Sequence, residues 1–517
     1  MQDDDSSTRA YSAPALPPEL LLSIFDHSTR ADLVQAARVS REWRTSARAH
    51  PLYRAHVSLD EPYPRTVPVL ANIISRFTRQ VEAAIAQGVR LELSVTLRCL
   101  PAGELFGESG LDEDSLSLAH GRIASFICSS LHAVVELHLF VSNRFYDVFR
   151  LKSCTTPAPI LWCLSSSLLE REEVAPLGPI FAGRCPQLRE VSLQNVPLGS
   201  GRYSAFSSVT RVQLGDGVKD NIRVIAEAFP HAHDVDIQIS HLYGDFMAQP
   251  PYIDLVDWAT KLTCLRCCMS TTSLPDDFLS LLEMAPFIPF VELDWWSGGS
   301  GVPEVIPIAP YLQHLTGPFE LDLWYGWRNG GRVIELILRD IPRGVVREFR
   351  EPQYTYSDDE YNDKETFGQD IISHNFGDDV LEHIVAAVVT LRVSPHFWGT
   401  AGDLAKRVSS LRLLELRIDA DDHFNDHVVD VTYPLQEDDI DYGRLTPVDA
   451  SRIVELKITT PVAGKFTIRA TTVLSMIRDC DLLRPGIRPL ATLENIEMVP
   501  SDLDGVLRRV AVGVRER

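Results

Sequence analysis

The chain has 517 residues, of which 45% are apolar, and a formal charge of −22 at pH 7. That length suits roughly three ordinary domains or one long repeat array. The acidity argues against nucleic acid as a main partner, because phosphate recognition needs a basic footprint. No apolar run reaches the roughly 18 residues that would suggest a membrane span.

The N-terminus MQDDDSSTRAYS lacks the basic start and apolar stretch of a secretory signal, and residues 1–13 are predicted to be a disordered tail. Nine cysteines without a framework spacing fit a reducing compartment, so the protein is expected to be cytoplasmic and/or nuclear.

Helical patterning begins at LPPELLLSIFDH, residues 16–27. Pro17 and Pro18 suit a first helical turn, where a missing N–H costs nothing, and Glu19 suits the positive end of the helix dipole. Leu20, Ile24 and Phe25 fall on one face, and Leu21 widens the stripe. A second short helix is predicted from Ala31 to Arg38, with Leu33, Val34 and Ala37 inward and Val39 just after. Ser40 can cap a third, REWRTSARAH, with Trp43 and Ala47 four apart, and Pro51 ends it. About 40 residues cannot bury so many large side chains alone. Either the rest of the chain or another protein covers them.

These residues resemble an F-box, with boundaries at 14–58. The shared elements are Leu16-Pro17, Glu19-Leu20-Leu21, Ile24-Phe25, Leu33, Val39-Ser40, Trp43-Arg44 and Pro51-Leu52-Tyr53, in that order. The resemblance implies three short helices that dock on the adaptor of an SCF-type cullin–RING ubiquitin ligase, and through it on a cullin. Leu20, Ile24, Phe25 and Trp43 are the expected anchors, with Leu21 and Leu33 beside them, and Leu16 and Pro17 fix the entry of the chain. Val39 and Trp43 can equally serve the internal core.

Residues 59–130 read as a Pro-rich joint, a helical cap and a first strand. Ile73, Phe77, Val81 and Ile85 recur every four residues, Gly88 stands as a helix stop, and RLELSVTL alternates as a half-buried strand. From residue 131 a six-residue pattern recurs: apolar, two free, apolar, one free, apolar. It occurs at 134–139, 188–193, 209–214, 232–237, 262–267, 290–295, 333–338, 388–393, 413–418, 453–458 and 493–498. Its central residues Val191, Val212, Val235, Leu265 and Leu293 are spaced 21, 23, 30 and 28, and Leu321 lies another 28 on.

These spacings resemble leucine-rich repeats, which implies an α/β solenoid (a horseshoe) whose strands line one parallel sheet. The resemblance is irregular, because the position of the family's Asn ladder holds Ser142, Val196, Gly217, Ser240 and Ser270. A non-repeating α/β domain with a parallel sheet is the alternative. Two acidic stretches, 351–370 and 419–443, are predicted to leave the repeat as loops.

Chemistry is sparse. Cys264, Cys267 and Cys268 make one CxxC without a second ligand pair, and His423 and His427 stand among Asp421, Asp422 and Asp426 without a calcium-loop order. SGGSG (297–301) misses the nucleophile-elbow spacing, HAHD (231–234) reads as a turn before a strand, and no phosphate loop is present. No catalytic residue, metal or cofactor is predicted. An aromatic group, Trp295, Trp296, Trp324, Tyr325 and Trp327, follows two apparent strands 28 residues apart, and side by side these residues would form a target-binding patch or fill an irregular gap.

The expected function is therefore a non-catalytic substrate receptor of an SCF-type ubiquitin ligase, holding an unknown target protein with its repeat region. The alternative is an interaction scaffold with an F-box that works outside a ligase.

Overall fold

The computed structural model describes residues 16–61, 67–97, 113–169, 175–199, 201–215, 222–239, 255–269, 283–295, 308–328, 331–353, 382–394, 404, 408, 410–417, 429–430, 455–459, 466–469, 490–494, 496–499 and 511–515. The chain groups into two compact units, Met1–Val209 and Thr210–Arg517. The acidic stretch 419–443, apart from 429–430, lies outside the described residues, as do the tail 1–13, the sequence SGGSG and the pair His423 and His427.

The first unit opens with four short helices: α1 (Pro18–Phe25), α2 (Arg30–Val39), α3 (Arg41–Ala49) and α4 (Pro51–Ala55). Pro18 is the first residue of α1, as its fixed φ favours. Thr29 and Asp32 form a capping box at α2, and the Thr29 hydroxyl and N–H, which donate to the Asp32 carboxylate at 2.7 and 2.9 Å, hold that carboxyl below its usual range. The Ser40 hydroxyl accepts from the Trp43 N–H at 3.2 Å and starts α3. The sequence reading ended its helices at Pro51. The same proline opens α4, because a helix stop and a first-turn position make the same demand, namely no N–H to satisfy.

Next come β1 (His56–Glu61), α5 (Val67–Ala86), β2 (Leu91–Leu97), α6 (Glu113–Ser130), β3 (Val134–Val141), α7 (Asn143–Ser153), β4 (Cys163–Leu168) and β5 (Glu190–Gln194). The five strands pair in sequence order, each parallel to the next. Alternation buries Val57, Leu59, Leu93, Val95, Leu137, Leu139, Leu164, Val191 and Leu193 on one face. Gly88 ends α5 at φ +71, where its N–H reaches the Ile85 carbonyl at 2.9 Å and the Val89 N–H reaches Ala84 at 3.0 Å. Between β4 and β5 a 3-10 turn, Phe181–Gly183, replaces a helix and buries Phe181 and Cys185.

Val196, the position at which the repeat resemblance expects an Asn, is buried, and a polar contact joins two strands one residue earlier. Asn195, at φ +58, donates from its side-chain amide to the Leu168 carbonyl at 2.9 Å, tying the end of β5 to the end of β4.

The second unit begins with β6 (Arg211–Leu214), α8 (Ile222–Ala228), β7 (Asp234–Ile239), α9 (Leu255–Ala259), β8 (Cys264–Met269) and β9 (Phe290–Trp295), its four strands parallel and in sequence order. After a short α10 (Ala309–Leu312) the order changes. Strands β10 (Phe319–Arg328), β11 (Gly331–Asp340) and β12 (Val345–Gln353) form an antiparallel meander. Strand β12 returns to lie parallel to β9, so the sheet runs β9, β12, β11, β10. Then α11 (Glu382–Ala387) leads into β13 (Val388–Val393), parallel to β10, followed by β14 (Leu413–Arg417).

Three strands, β15 (Val429–Asp430), β17 (Phe466–Arg469) and β19 (Ile496–Val499), form a separate small parallel sheet. Alternating with them, β16 (Glu455–Thr459), β18 (Leu490–Glu494) and β20 (Ala511–Arg515) continue the large sheet from β14.

Two expectations are thereby corrected. The pattern at 333–338 is the middle strand of an antiparallel meander, not a parallel repeat. The overlooked signal is Asn329-Gly330, the two residues that separate the paired Arg328 and Gly331, a sequence suited to a two-residue hairpin. The pattern at 493–498 is split: Leu490–Glu494 pairs with β16, while Ile496–Val499 joins the small sheet. Of the acidic stretch 351–370, residues 351–353 belong to β12 and the rest lies outside the described residues.

Candidate functional site

The N-terminal helices divide the expected adaptor-binding residues into two sets. Leu21 and Phe25 are each 1% exposed and Leu33 is 0% exposed; with Ala36, Ala37 and Ala47 they form the helices' internal core. Trp43 and Tyr53 pack against that core, and the Phe25 ring meets the Trp43 ring edge-on at 5.8 Å. Phe25, expected as an interface anchor, is instead the centre of this cluster. The period of α1 puts residues 21 and 25 on its inner face.

The other set points outward. Leu20 is 53% exposed, Ile24 44%, Leu16 41% and Val39 65%, and Pro17 is exposed beside them. Leu22 and Leu52, which are not among the expected adaptor-binding residues, are exposed as well. Leu20 and Ile24 are one turn apart on α1, so they share a face. The core beneath is complete without them.

Polar contacts hold this frame. The buried His50 ring lies 3.1 Å from the Asp26 carboxylate through Nε2, accepts the Leu52 N–H through Nδ1 at 3.3 Å, and stands edge-on to Phe25. That one side chain joins the end of α1 to the start of α4. The Arg44 side chain donates to the Ala37 carbonyl at 2.9 Å, clamping α3 on α2. Arg54 reaches Gln87, just after α5, at 2.5 Å.

The expected aromatic target patch is not assembled as the sequence suggested. Trp295 ends β9, and Trp324, Tyr325 and Trp327 lie in β10, but β12 and β11 stand between those strands. Trp324 is only 8% exposed. Trp296 lies outside the described residues, and for Trp295, Tyr325 and Trp327 only the strand position is described. Spacing in sequence equals adjacency in a sheet only while strands add in order, and the meander breaks that condition.

Cys264, Cys267 and Cys268 lie in β8, where alternation sends Cys267 to the face opposite the other two. Cys264 and Cys268 are four positions apart along an extended strand, about 13 Å, too far to share one ion. Burial pushes the Cys264 thiol up to about 12. Among the described residues no group of His, Cys, Asp and Glu could hold a metal, and no helix is long and apolar enough to cross a membrane.

A protein-family model described as F-box-like matches residues 13–57, the segment that contains α1 to α4. An F-box-like domain therefore occupies the N-terminus of this mixed α/β chain. Domains of this family bind the adaptor subunit of SCF-type ubiquitin ligases. No curated protein matches the chain.

Proposed function

We propose that the chain is a non-catalytic substrate receptor of an SCF-type cullin–RING ubiquitin ligase. The F-box-like domain holds the adaptor, and through it the cullin, while the α/β region after it holds a target protein. The mechanism is effective concentration: a bound target is brought near the ubiquitin-charged enzyme without chemistry from this chain.

The observation that carries this reading is the division of apolar side chains in α1. Leu21 and Phe25 close the internal core, whereas Leu16, Leu20, Ile24 and Val39 are exposed. Isolated exposed leucines need no explanation, but Leu20 and Ile24 share one helix face within the matched segment, the arrangement a helix-in-groove contact uses.

For the remainder we propose an irregular leucine-rich-repeat-like solenoid interrupted by the β10–β12 meander. Support comes from parallel strands in sequence order, β1 to β5 and β6 to β9, with a connection between each pair. Loop contacts also recur between successive connections: the Ser208 hydroxyl donates to Leu188, Thr263 to His233 and Ser410 to Val388.

The test is co-expression with the adaptor, a cullin and its RING partner. Co-purification of the whole set supports the ligase reading. Binding of the adaptor without the cullin favours a scaffold that uses its F-box outside a ligase. Failure to bind the adaptor overturns both.

A further inference from the structure

Positive charge in this chain is carried almost entirely by arginine. Of its 49 basic residues, seven are lysine. None occurs before residue 152, and the first unit, Met1–Val209, holds Lys152 alone against 19 arginines. The same unit contains the F-box-like helices.

Packing explains some of these arginines and not others. Arg44 donates to the Ala37 carbonyl at 2.9 Å, Arg54 to the Arg48 carbonyl at 2.9 Å and to Gln87, and Arg150 to the Pro176 carbonyl at 3.3 Å. The fixed fork of a guanidinium suits such contacts, and an ammonium would replace it poorly. Arg48, Arg76 and Arg122 differ. They stand at exposed positions of α3, α5 and α6, and among the described residues their side chains enter no hydrogen bond or ion pair. Lysine would match arginine there in charge and in helix propensity. What lysine adds is a primary amine, the acceptor of ubiquitin.

A receptor that raises the effective concentration of a ubiquitin-charged enzyme near its target raises it near itself as well. In the transfer, a lysine amine attacks the thioester carbonyl that joins ubiquitin to the enzyme's cysteine. An amide C–N bond forms, the C–S bond breaks, and the sulfur leaves as a thiol with the proton the nitrogen gives up. A guanidinium cannot take this part, because it stays protonated in proteins and has no acceptor lone pair. Given the ligase reading, on which this rests, we infer that arginine shields the first unit from ubiquitylation by its own ligase and that Lys152 is the unit's single acceptor.

Lys152 sits in the last turn of α7, where the helix dipole favours a cation, half-buried beside the 65%-exposed Leu151. Among the described residues its ammonium enters no ion pair. In the second unit Lys261 is held by Asp257 at 2.8 Å and Lys457 by Glu494 at 2.8 Å. An amine bound to a carboxylate must leave that partner before it can attack, so Lys152 is the readiest acceptor of these three.

The test uses the full chain co-purified with adaptor, cullin and RING partner, then supplied with ubiquitin and its activating and conjugating enzymes, without target. Co-purification is scored first, so a failure of the ligase reading shows before any conjugate is measured. Peptide mapping of residues 1–209 should find ubiquitin on Lys152 alone in the wild type and none in Lys152→Arg. Arg76→Lys and Arg122→Lys keep the charge and lie on separate helices, so one serves if the other misfolds by circular dichroism. Each should add a second acceptor and raise conjugate on the first unit about twofold, because both amines share one effective concentration. Omitting the adaptor should abolish that rise. In an assembled complex, no modification of the added lysines, or equal modification without the adaptor, overturns the shielding. An unmodified Lys152 overturns its assignment as acceptor.

Discussion

Ile24→Asp separates an interface from a core more sharply than any other change in the N-terminal helices. Ile24 is 44% exposed and lies outside the internal cluster of Leu21, Phe25 and Leu33. Full burial of an isoleucine side chain stabilises by about 1.5–3 kcal/mol, so covering the remaining surface contributes roughly 1 kcal/mol. Ile24→Ala should therefore weaken adaptor binding about fivefold. Aspartate at the same place must also strip its carboxylate of water inside an apolar groove, which adds at least about 2 kcal/mol. The combined loss of roughly 3 kcal/mol is a factor of more than 100 in Kd. In the free chain the cost is small: Asp in the last turn of α1 opposes the helix dipole by about 0.5 kcal/mol. Titration calorimetry against the purified adaptor reads the first number, and circular dichroism with thermal melting reads the second. Unchanged binding refutes the interface. Collapse of the helices refutes the division between outward and inward residues.

Three further outcomes follow from the same structure. Phe25→Ala should destabilise the four-helix segment by about 3–5 kcal/mol, lowering its melting transition with or without adaptor, because a 1%-exposed ring against Trp43 and His50 is replaced by a cavity. Ser40→Ala should cost about 1 kcal/mol by removing the cap on α3, read as a lower melting temperature with adaptor contacts unaltered. Asn195→Ala should destabilise by about 1–2 kcal/mol, because it loses the bond to Leu168 and keeps a positive φ, whereas Asn195→Gly loses the bond and relieves the backbone. Proteolysis of the first unit should rank the two variants in that order.

The sequence was most legible where local rules and tertiary demands coincide. Pro18 and Ser40 mark helix starts with groups that lack or satisfy an N–H, so α1 and α3 could be placed without coordinates, whereas the Thr29 cap of α2 and the helix opened by Pro51 were not foreseen. Nine of the eleven pattern matches fall on strands of the parallel runs, because an apolar residue at every second position is what a half-covered sheet requires. Strand β4, CLSSSL, escaped because serines occupy positions that usually hold apolar groups. The meander escaped because a strand's apolar alternation is the same whether its neighbour runs parallel or antiparallel.

What only the tertiary structure decided is which side of each amphipathic element is covered. In α1 the sequence marks Leu20, Leu21, Ile24 and Phe25 as one broad apolar stripe. The crossing of α1 with α3 then assigns Leu21 and Phe25 to the interior and leaves Leu20 and Ile24 outside. The crowding of acids around Arg350 is equally invisible in one dimension: Glu335 and Glu348 are thirteen positions apart, and only the return of β12 between β9 and β11 brings four acids around Arg350. Hydrophobic periodicity and capping act over one helical turn or two strand positions and can be read from the chain. Burial and charge crowding depend on which distant segments meet, and that is settled by packing.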